Sequence, residues 1–170
     1  MDPRDYILSI IDFPKPGVVF KDITPLMLNA DAYKSTIRQM ASMIARESPT
    51  KILAAESRGF FFGPAIAYEL DLPFMPVRKK GKLPRETIEE EYELEYGTDL
   101  LCAHRDDFKP GDRIAVIDDV LATGGTAEAM CKIVEQAGVE VACLAFFIEL
   151  VKLGGAKRLS NYKIISVVRD

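Results

Sequence analysis

The stretch from Arg113 to Glu128, R-I-A-V-I-D-D-V-L-A-T-G-G-T-A-E, leaves little freedom in how the chain around it folds. Its apolar run, Ile114 to Ile117, is what a strand buried on both faces of a parallel sheet requires. Asp118 and Asp119 follow, then the small-residue turn Ala122-Thr123-Gly124-Gly125-Thr126, then a helical pattern. Glycines let the backbone close on a ligand, and loop N–H groups with a helix N-terminus attract a phosphate. Threonine hydroxyls donate to the same group, and ionised carboxylates accept from sugar hydroxyls. The combination suits a ribose 5-phosphate.

A strand–loop–helix unit of this kind needs a larger sheet around it. At 170 residues and 48% hydrophobic, the chain reads as one domain, 1–170, with a sizeable core. The net charge of −4 argues against a nucleic-acid backbone as partner. Met1 to Asp5 is charged, unlike a secretory leader, and no apolar run approaches the roughly 20 residues of a membrane span. Cys102, Cys131 and Cys143 are odd in number and lack C-x-x-C spacing. They read as reduced core cysteines of a cytoplasmic protein, with neither a metal nor a disulfide framework expected.

Along the chain, Asp5 to Ile11 has the spacing of a short amphipathic helix, stopped by Phe13-Pro14-Lys15-Pro16-Gly17. Val18, Val19 and Phe20 follow in an irregular setting. They have two readings: a seal on the core edge, or the face of an aromatic-ligand pocket. Asp31 to Ala45 is expected as a helix capped by Asp31, and Lys51 to Ala55 as a short buried strand. Glu56-Ser57-Arg58-Gly59 then leads into a helix from about Phe60 to Leu70, a second site where an anion can meet a helix N-terminus. Arg58 can clamp a phosphate there, or pair structurally with Glu56.

Pro73 to Val77 is a further strand. The basic run Arg78-Lys79-Lys80-Gly81-Lys82-Leu83-Pro84-Arg85 then meets the acids Glu86 and Glu89 to Glu91. Such a segment is a solvated loop or a lid that brings cations over a polyanion. Tyr92 to Tyr96 and Asp99 to Ala103 form a hairpin turning near Gly97. His104, the only histidine, is expected at the surface. A helix from Thr126 to Ala137 ends at Gly138, and Val139 to Ile148, Val151 to Leu159 and Ile164 to Val168 read as strand, short helix and strand. This alternation predicts an α/β fold, a mostly parallel central sheet flanked by helices, with its ligand crevice at the carboxyl ends of the strands.

A Walker A loop, a dinucleotide G-x-G-x-x-G, an H-E-x-x-H and a G-x-S-x-G are all absent. Val116 to Glu128 resembles the phosphoribosyl diphosphate motif of the type I phosphoribosyltransferases. The segments Phe13 to Pro25, Glu56 to Phe60, Arg78 to Pro84 and Leu94 to Gly97 resemble, in order, those of the members that use adenine. The resemblance spans nearly the whole chain. It implies a flexible lid hairpin, a small hood built from the N- and C-termini, and a cytoplasmic homodimer. It also implies purine salvage: adenine and 5-phosphoribosyl 1-diphosphate (PRPP) give AMP and diphosphate, with magnesium carried mainly by the substrate.

By the same resemblance, Ala122, Thr123, Gly124, Gly125 and Thr126 hold the 5-phosphate, and Asp118 and Asp119 accept from the ribose hydroxyls. Ser57, Arg58, Arg78 and Lys82 serve the diphosphate. Glu95 is the proton donor or hydrogen-bond partner at the purine N7, Arg58 is the second catalytic residue, and Tyr96 closes the lid. Val19, Phe20 and Lys21 select adenine, with Phe20 against the purine and a backbone carbonyl near Lys21 accepting from its 6-amino group. The Lys21 ammonium can donate to a 6-oxopurine if it turns inward. No protein metal ligand is named. The rivals are the same transfer to hypoxanthine, guanine or xanthine, and a non-catalytic PRPP-sensing regulator.

Overall fold

The computed structural model describes residues 1–93 and 97–170. Among these, the main sheet has seven strands: β3 (Lys51–Ala55), β4 (Phe74–Lys79), β5 (Thr87–Glu93), β6 (Thr98–His104), β7 (Arg113–Leu121), β8 (Glu140–Glu149) and β9 (Ile164–Arg169). Their order is β5-β6-β4-β3-β7-β8-β9, with β4, β3, β7, β8 and β9 parallel and β5 and β6 antiparallel at one edge. A separate hairpin pairs β1 (Leu8–Ile11) with β2 (Val19–Asp22).

The period of two along the central strands separates two cores. Ile52 and Ala54 of β3, Ala115 and Ile117 of β7 and Cys143, Ala145 and Phe147 of β8 pack toward one face. They meet Ile37, Met40 and Ile44 of α2 (Ala30–Ala45) and Ile66 of α3 (Gly63–Leu70). The alternate residues, Leu53, Ile114, Val116, Leu144 and Phe146, meet Met130, Ile133 and Val134 of α4 (Gly125–Gln136) on the other face. All three cysteines are free and buried, and burial pushes the Cys131 and Cys143 thiols up to about 12.

Several local expectations change. Asp5 to Ile11 is not a helix: a 3-10 turn at Pro3–Tyr6 precedes strand β1. Val19 and Phe20 are not irregular but belong to β2, where Phe20 pairs with Ile10. A short helix, α1 (Thr24–Leu28), was not anticipated. Helix α2 is capped by Asn29, whose side chain accepts from the Ala32 N–H at 3.0 Å, while Asp31 lies in the first turn. A 3-10 turn at Arg58–Phe61 precedes α3, and the Val151 to Leu159 helix is broken at Gly154 into a 3-10 turn and α5 (Gly155–Arg158). His104 is buried, not at the surface: it ends the apolar side of β6 and lies 2.9 Å from Arg85 and 3.3 Å from Asp107.

Helix α3 sits close to the sheet because Gly63 faces it. A Cβ there would lie 2.7 Å from the Ala54 Cβ and 2.9 Å from the Phe74 ring. Gly63→Ala is therefore expected to cost about 1–3 kcal/mol by overpacking. Urea unfolding checks this as a lower midpoint at unchanged slope.

Candidate active site

Strand order changes direction between β3 and β7. The chain leaves β3 toward β4 on one side and leaves β7 toward β8 on the other. Adjacent carboxyl ends whose connections diverge leave a crevice between them. The loop after β3 carries Ser57 and Arg58, and its Glu56–Ser57 peptide is cis. The loop after β7 carries Ala122 to Gly124 and leads into α4.

The acidic pair does not follow the apolar strand, as its sequence suggested, but lies within it. β8 continues to pair beyond the apolar run, with Asp118 opposite Phe146 and Leu121 opposite Glu149, so β7 extends to Leu121. Asp118 lines a cavity of about 80 Å³ together with Ala122, Thr123, Gly124, Gly125 and Thr126. Gly124 has φ +90°, a left-handed conformation that a glycine adopts without strain. The first helical bond of α4 runs from the Glu128 N–H to the Gly124 carbonyl at 2.9 Å. The N–H groups ahead of it have no partner within the helix. Burial, and next the neighbouring Asp119, push the Asp118 carboxyl well above the usual carboxylate range. Its Oδ1 accepts the Asp119 N–H at 2.9 Å.

Asp119 is buried and ion-paired with Arg58. Arg58 does not pair with Glu56, the alternative that its sequence neighbourhood offered. Its guanidinium donates to the Lys21 carbonyl at 3.0 Å and lies 4.7 Å from the centre of the Phe20 ring. One side chain thus touches the acid, the aromatic face and the backbone carbonyl at three separate positions in the chain. Phe20 is also met edge-on by Phe13 at 5.2 Å, a contact with no local signal in the residues. The Lys21 ammonium does not point inward. It bonds Ser9 Oγ at 2.9 Å and pairs with Asp170, joining the N-terminal hairpin to the C-terminus. Val19 is exposed on the same strand.

Glu56 is a residue that sequence reasoning passed over as a functional support. It accepts the Lys79 N–H at 2.8 Å and lies 3.3 Å from Arg78 Nε. Arg78 therefore stands on β4 beside the Ser57–Arg58 loop, whereas Lys82 is exposed in the turn beyond β4. Its signal was available: an acid at the end of one strand opposite a basic residue at the end of the next. Glu95 and Tyr96 lie outside the described residues. Among the described residues, no group of three or more His, Cys, Asp or Glu is arranged to hold a metal ion.

Residues 26–169 match the family described as phosphoribosyl transferase domain. The chain is 50% identical, over 99% of both chains, to an adenine phosphoribosyltransferase of Carboxydothermus hydrogenoformans. Its fold superposes with a TM-score of 0.95 on the crystal structure of adenine phosphoribosyltransferase from Thermoanaerobacter pseudethanolicus, at 47% identity and covering 98% of this chain and 97% of that one. The Saccharomyces cerevisiae enzyme, crystallised with an imino-altritol bisphosphate and adenine, superposes with a TM-score of 0.91 at 33% identity, covering 96% and 95%.

The raised Asp118 has a consequence for stability. A carboxyl whose folded pKa lies above its unfolded value binds more protons when folded, so its contribution falls as pH rises through that window. Near neutral pH the burial of this carboxyl therefore burdens the fold. Asp118→Asn is expected to raise Tm at pH 7, by roughly 2–4 °C, and the gain shrinks as pH falls toward the unfolded carboxylate range. Thermal unfolding across pH checks both the sign and the window.

Proposed function

We propose how this site divides its work from the premise that the chain belongs to the adenine phosphoribosyltransferase family of the phosphoribosyl transferases. It is a purine-salvage enzyme that forms AMP and diphosphate from adenine and PRPP. Its work is divided between the glycine-threonine loop, the acidic pair, a group of cations and a base pocket. The observation that carries this division is Arg58, which links the Asp119 carboxylate to the Lys21 carbonyl across the crevice.

Ala122 to Thr126 hold the 5-phosphate with loop N–H groups and threonine hydroxyls, and Asp118 and Asp119 accept from the ribose hydroxyls. Their fixed spacing holds the sugar still while the bond to diphosphate breaks. Diphosphate leaves with the bonding electrons, an oxocarbenium-like carbon remains, and adenine N9 attacks it as the imidazole N–H proton of the purine is released. Arg58, the Ser57 backbone, Arg78 and Lys82 neutralise the leaving group. Arg58 exchanges its hold on Asp119 and the Lys21 carbonyl for the diphosphate, which frees both acceptors for substrate. Glu95 supports the purine at N7, and Tyr96 closes the lid over it.

Adenine packs on Phe20 beside Val19, and its 6-amino group donates to the Lys21 carbonyl. The outward Lys21 ammonium supports this selectivity, because no cation from that residue is offered to a 6-oxo group. Magnesium, bound mainly by PRPP oxygens and water, supplies positive charge at the leaving group. The acidic pair fits such a cation nearby, since Asp118 is a carboxyl that a positive charge would restore toward its ordinary range.

We further propose a single domain over 1–170 acting as a cytoplasmic homodimer, without nucleic-acid or membrane partners. The sheet and both its helical layers draw on most of the chain. Leu28 at 86% and Tyr68 at 88% exposure support an apolar contact on the α1–α3 side. No helix among the described residues is long and apolar enough to cross a membrane.

A purine panel tests the base assignment. With PRPP and magnesium, kcat/KM for adenine is expected to exceed that for hypoxanthine, guanine and xanthine by about 100-fold or more; parity with a 6-oxopurine would refute the role given to Lys21. Glu95→Gln is expected to lower kcat by roughly 10²–10⁴ while PRPP affinity stays within a few-fold. Near-normal turnover removes Glu95 from the chemistry.

A further inference from the structure

The phosphate cradle rests on a segment about thirty residues further along the chain. The Leu150 N–H donates to the Leu121 carbonyl at 2.9 Å, so the chain leaving β8 is tied to the end of β7. Gly154 and Gly155 then turn back beneath the cradle. A Cβ on Gly155 would lie 2.5 Å from the Ala122 carbonyl oxygen and 2.7 Å from Leu121 Cδ1. From the other side, a Cβ on Gly124 would lie 3.3 Å from the Gly155 carbonyl oxygen and 3.4 Å from Leu159 Cδ1. The two glycines pack backbone against backbone. Arg158 closes the contact by donating to Glu128 of α4 at 2.9 and 2.6 Å.

We propose that Gly155 is a positioning residue for 5-phosphate binding, through its contact with the Ala122–Thr123 peptide. This rests on the reading that Ala122 to Thr126 hold the phosphate. The Ala122 carbonyl and the Thr123 N–H belong to one rigid peptide plane. Any atom at position 155 that pushes the carbonyl away turns the N–H at the opposite edge of that plane. A donor aimed at an anion then loses its aim, although no residue that touches the ligand has changed.

The neighbouring glycine provides the control. Gly154 has φ +73° but nothing within 4 Å of a built Cβ. It is glycine for conformation, whereas Gly155 is glycine for space. A side chain at 154 strains the backbone without touching the cradle.

Ribose 5-phosphate titrated by calorimetry into the full-length protein, with steady-state kinetics alongside, separates the two. Gly155→Ala is expected to weaken ribose 5-phosphate binding, and to raise KM for PRPP, by about tenfold or more, with KM for adenine within about twofold. Gly154→Ala is expected to lower Tm while ribose 5-phosphate affinity stays within about twofold of wild type. Unchanged affinity in folded Gly155→Ala, or an equal loss in Gly154→Ala, overturns the proposal. If the wild type itself gives no binding, the cradle assignment fails first. Should Gly155→Ala not fold, Leu159→Val thins the same support without adding an atom. Several-fold weaker ribose 5-phosphate binding is then expected, and wild-type affinity overturns the role.

Discussion

The parallel pairing of β3 with β7 is the constraint on which the rest of the site depends. Ala54 lies opposite Ile117, so β3 ends beside Asp118 and releases its loop alongside the last residues of β7. Nothing in the sequence between Ala55 and Arg113 brings Arg58 near Asp119; the ladder does. Its residues are small or apolar and fully buried on both faces, which fixes register because a one-residue slip would exchange the α2 face for the α4 face. Charge is kept to the strand ends. At the amino ends, Lys51 and Asp112 pair at 2.7 Å with no role in the crevice. At the carboxyl ends, Arg58 and Asp119 pair inside it.

Placing the acidic pair within the strand has an energetic logic. A strand holds its side chains more rigidly than a loop, and a rigid acceptor loses less on binding. The cost is a carboxyl at Asp118 whose charge the fold disfavours, and one at Asp119 that needs a cation. Arg58 answers the second need.

What could be read from the residues follows from how local each signal is. β3, β7 and β8 were legible because short apolar runs between turn residues have few other uses, and the glycine-threonine loop because its chemistry is contiguous. β1 was not. Ile7, Leu8 and Ile11 have helical spacing, and only pairing with Val19 to Asp22 makes that segment a strand, with exposed side chains that leave no burial pattern to read. His104 sits among charged neighbours in sequence, yet β6 carries it to the end of a buried run. The ion pair of Arg58 was sought at Glu56, two residues away. The actual partner is 61 positions distant, and Glu56 serves Arg78 instead. The family resemblance supplied Glu95 and Tyr96, which no spacing rule would have singled out.

The two glycine pairs show why such long-range support escapes a local reading. Gly124-Gly125 announces itself beside threonines and acids, where a phosphate loop is the natural inference. Gly154-Gly155 sits in an apolar and basic segment, Val151 to Leu159, that reads as one short helix. Only the packing reveals that one of its members is small because Ala122 lies 2.5 Å from where a Cβ would be. A glycine that permits a left-handed turn tolerates replacement by asparagine more readily than one that admits a neighbouring backbone, because strain is shared along the chain while a clash is not. The path of the Ala122–Thr123 peptide is thus set in part by the absence of a side chain behind it.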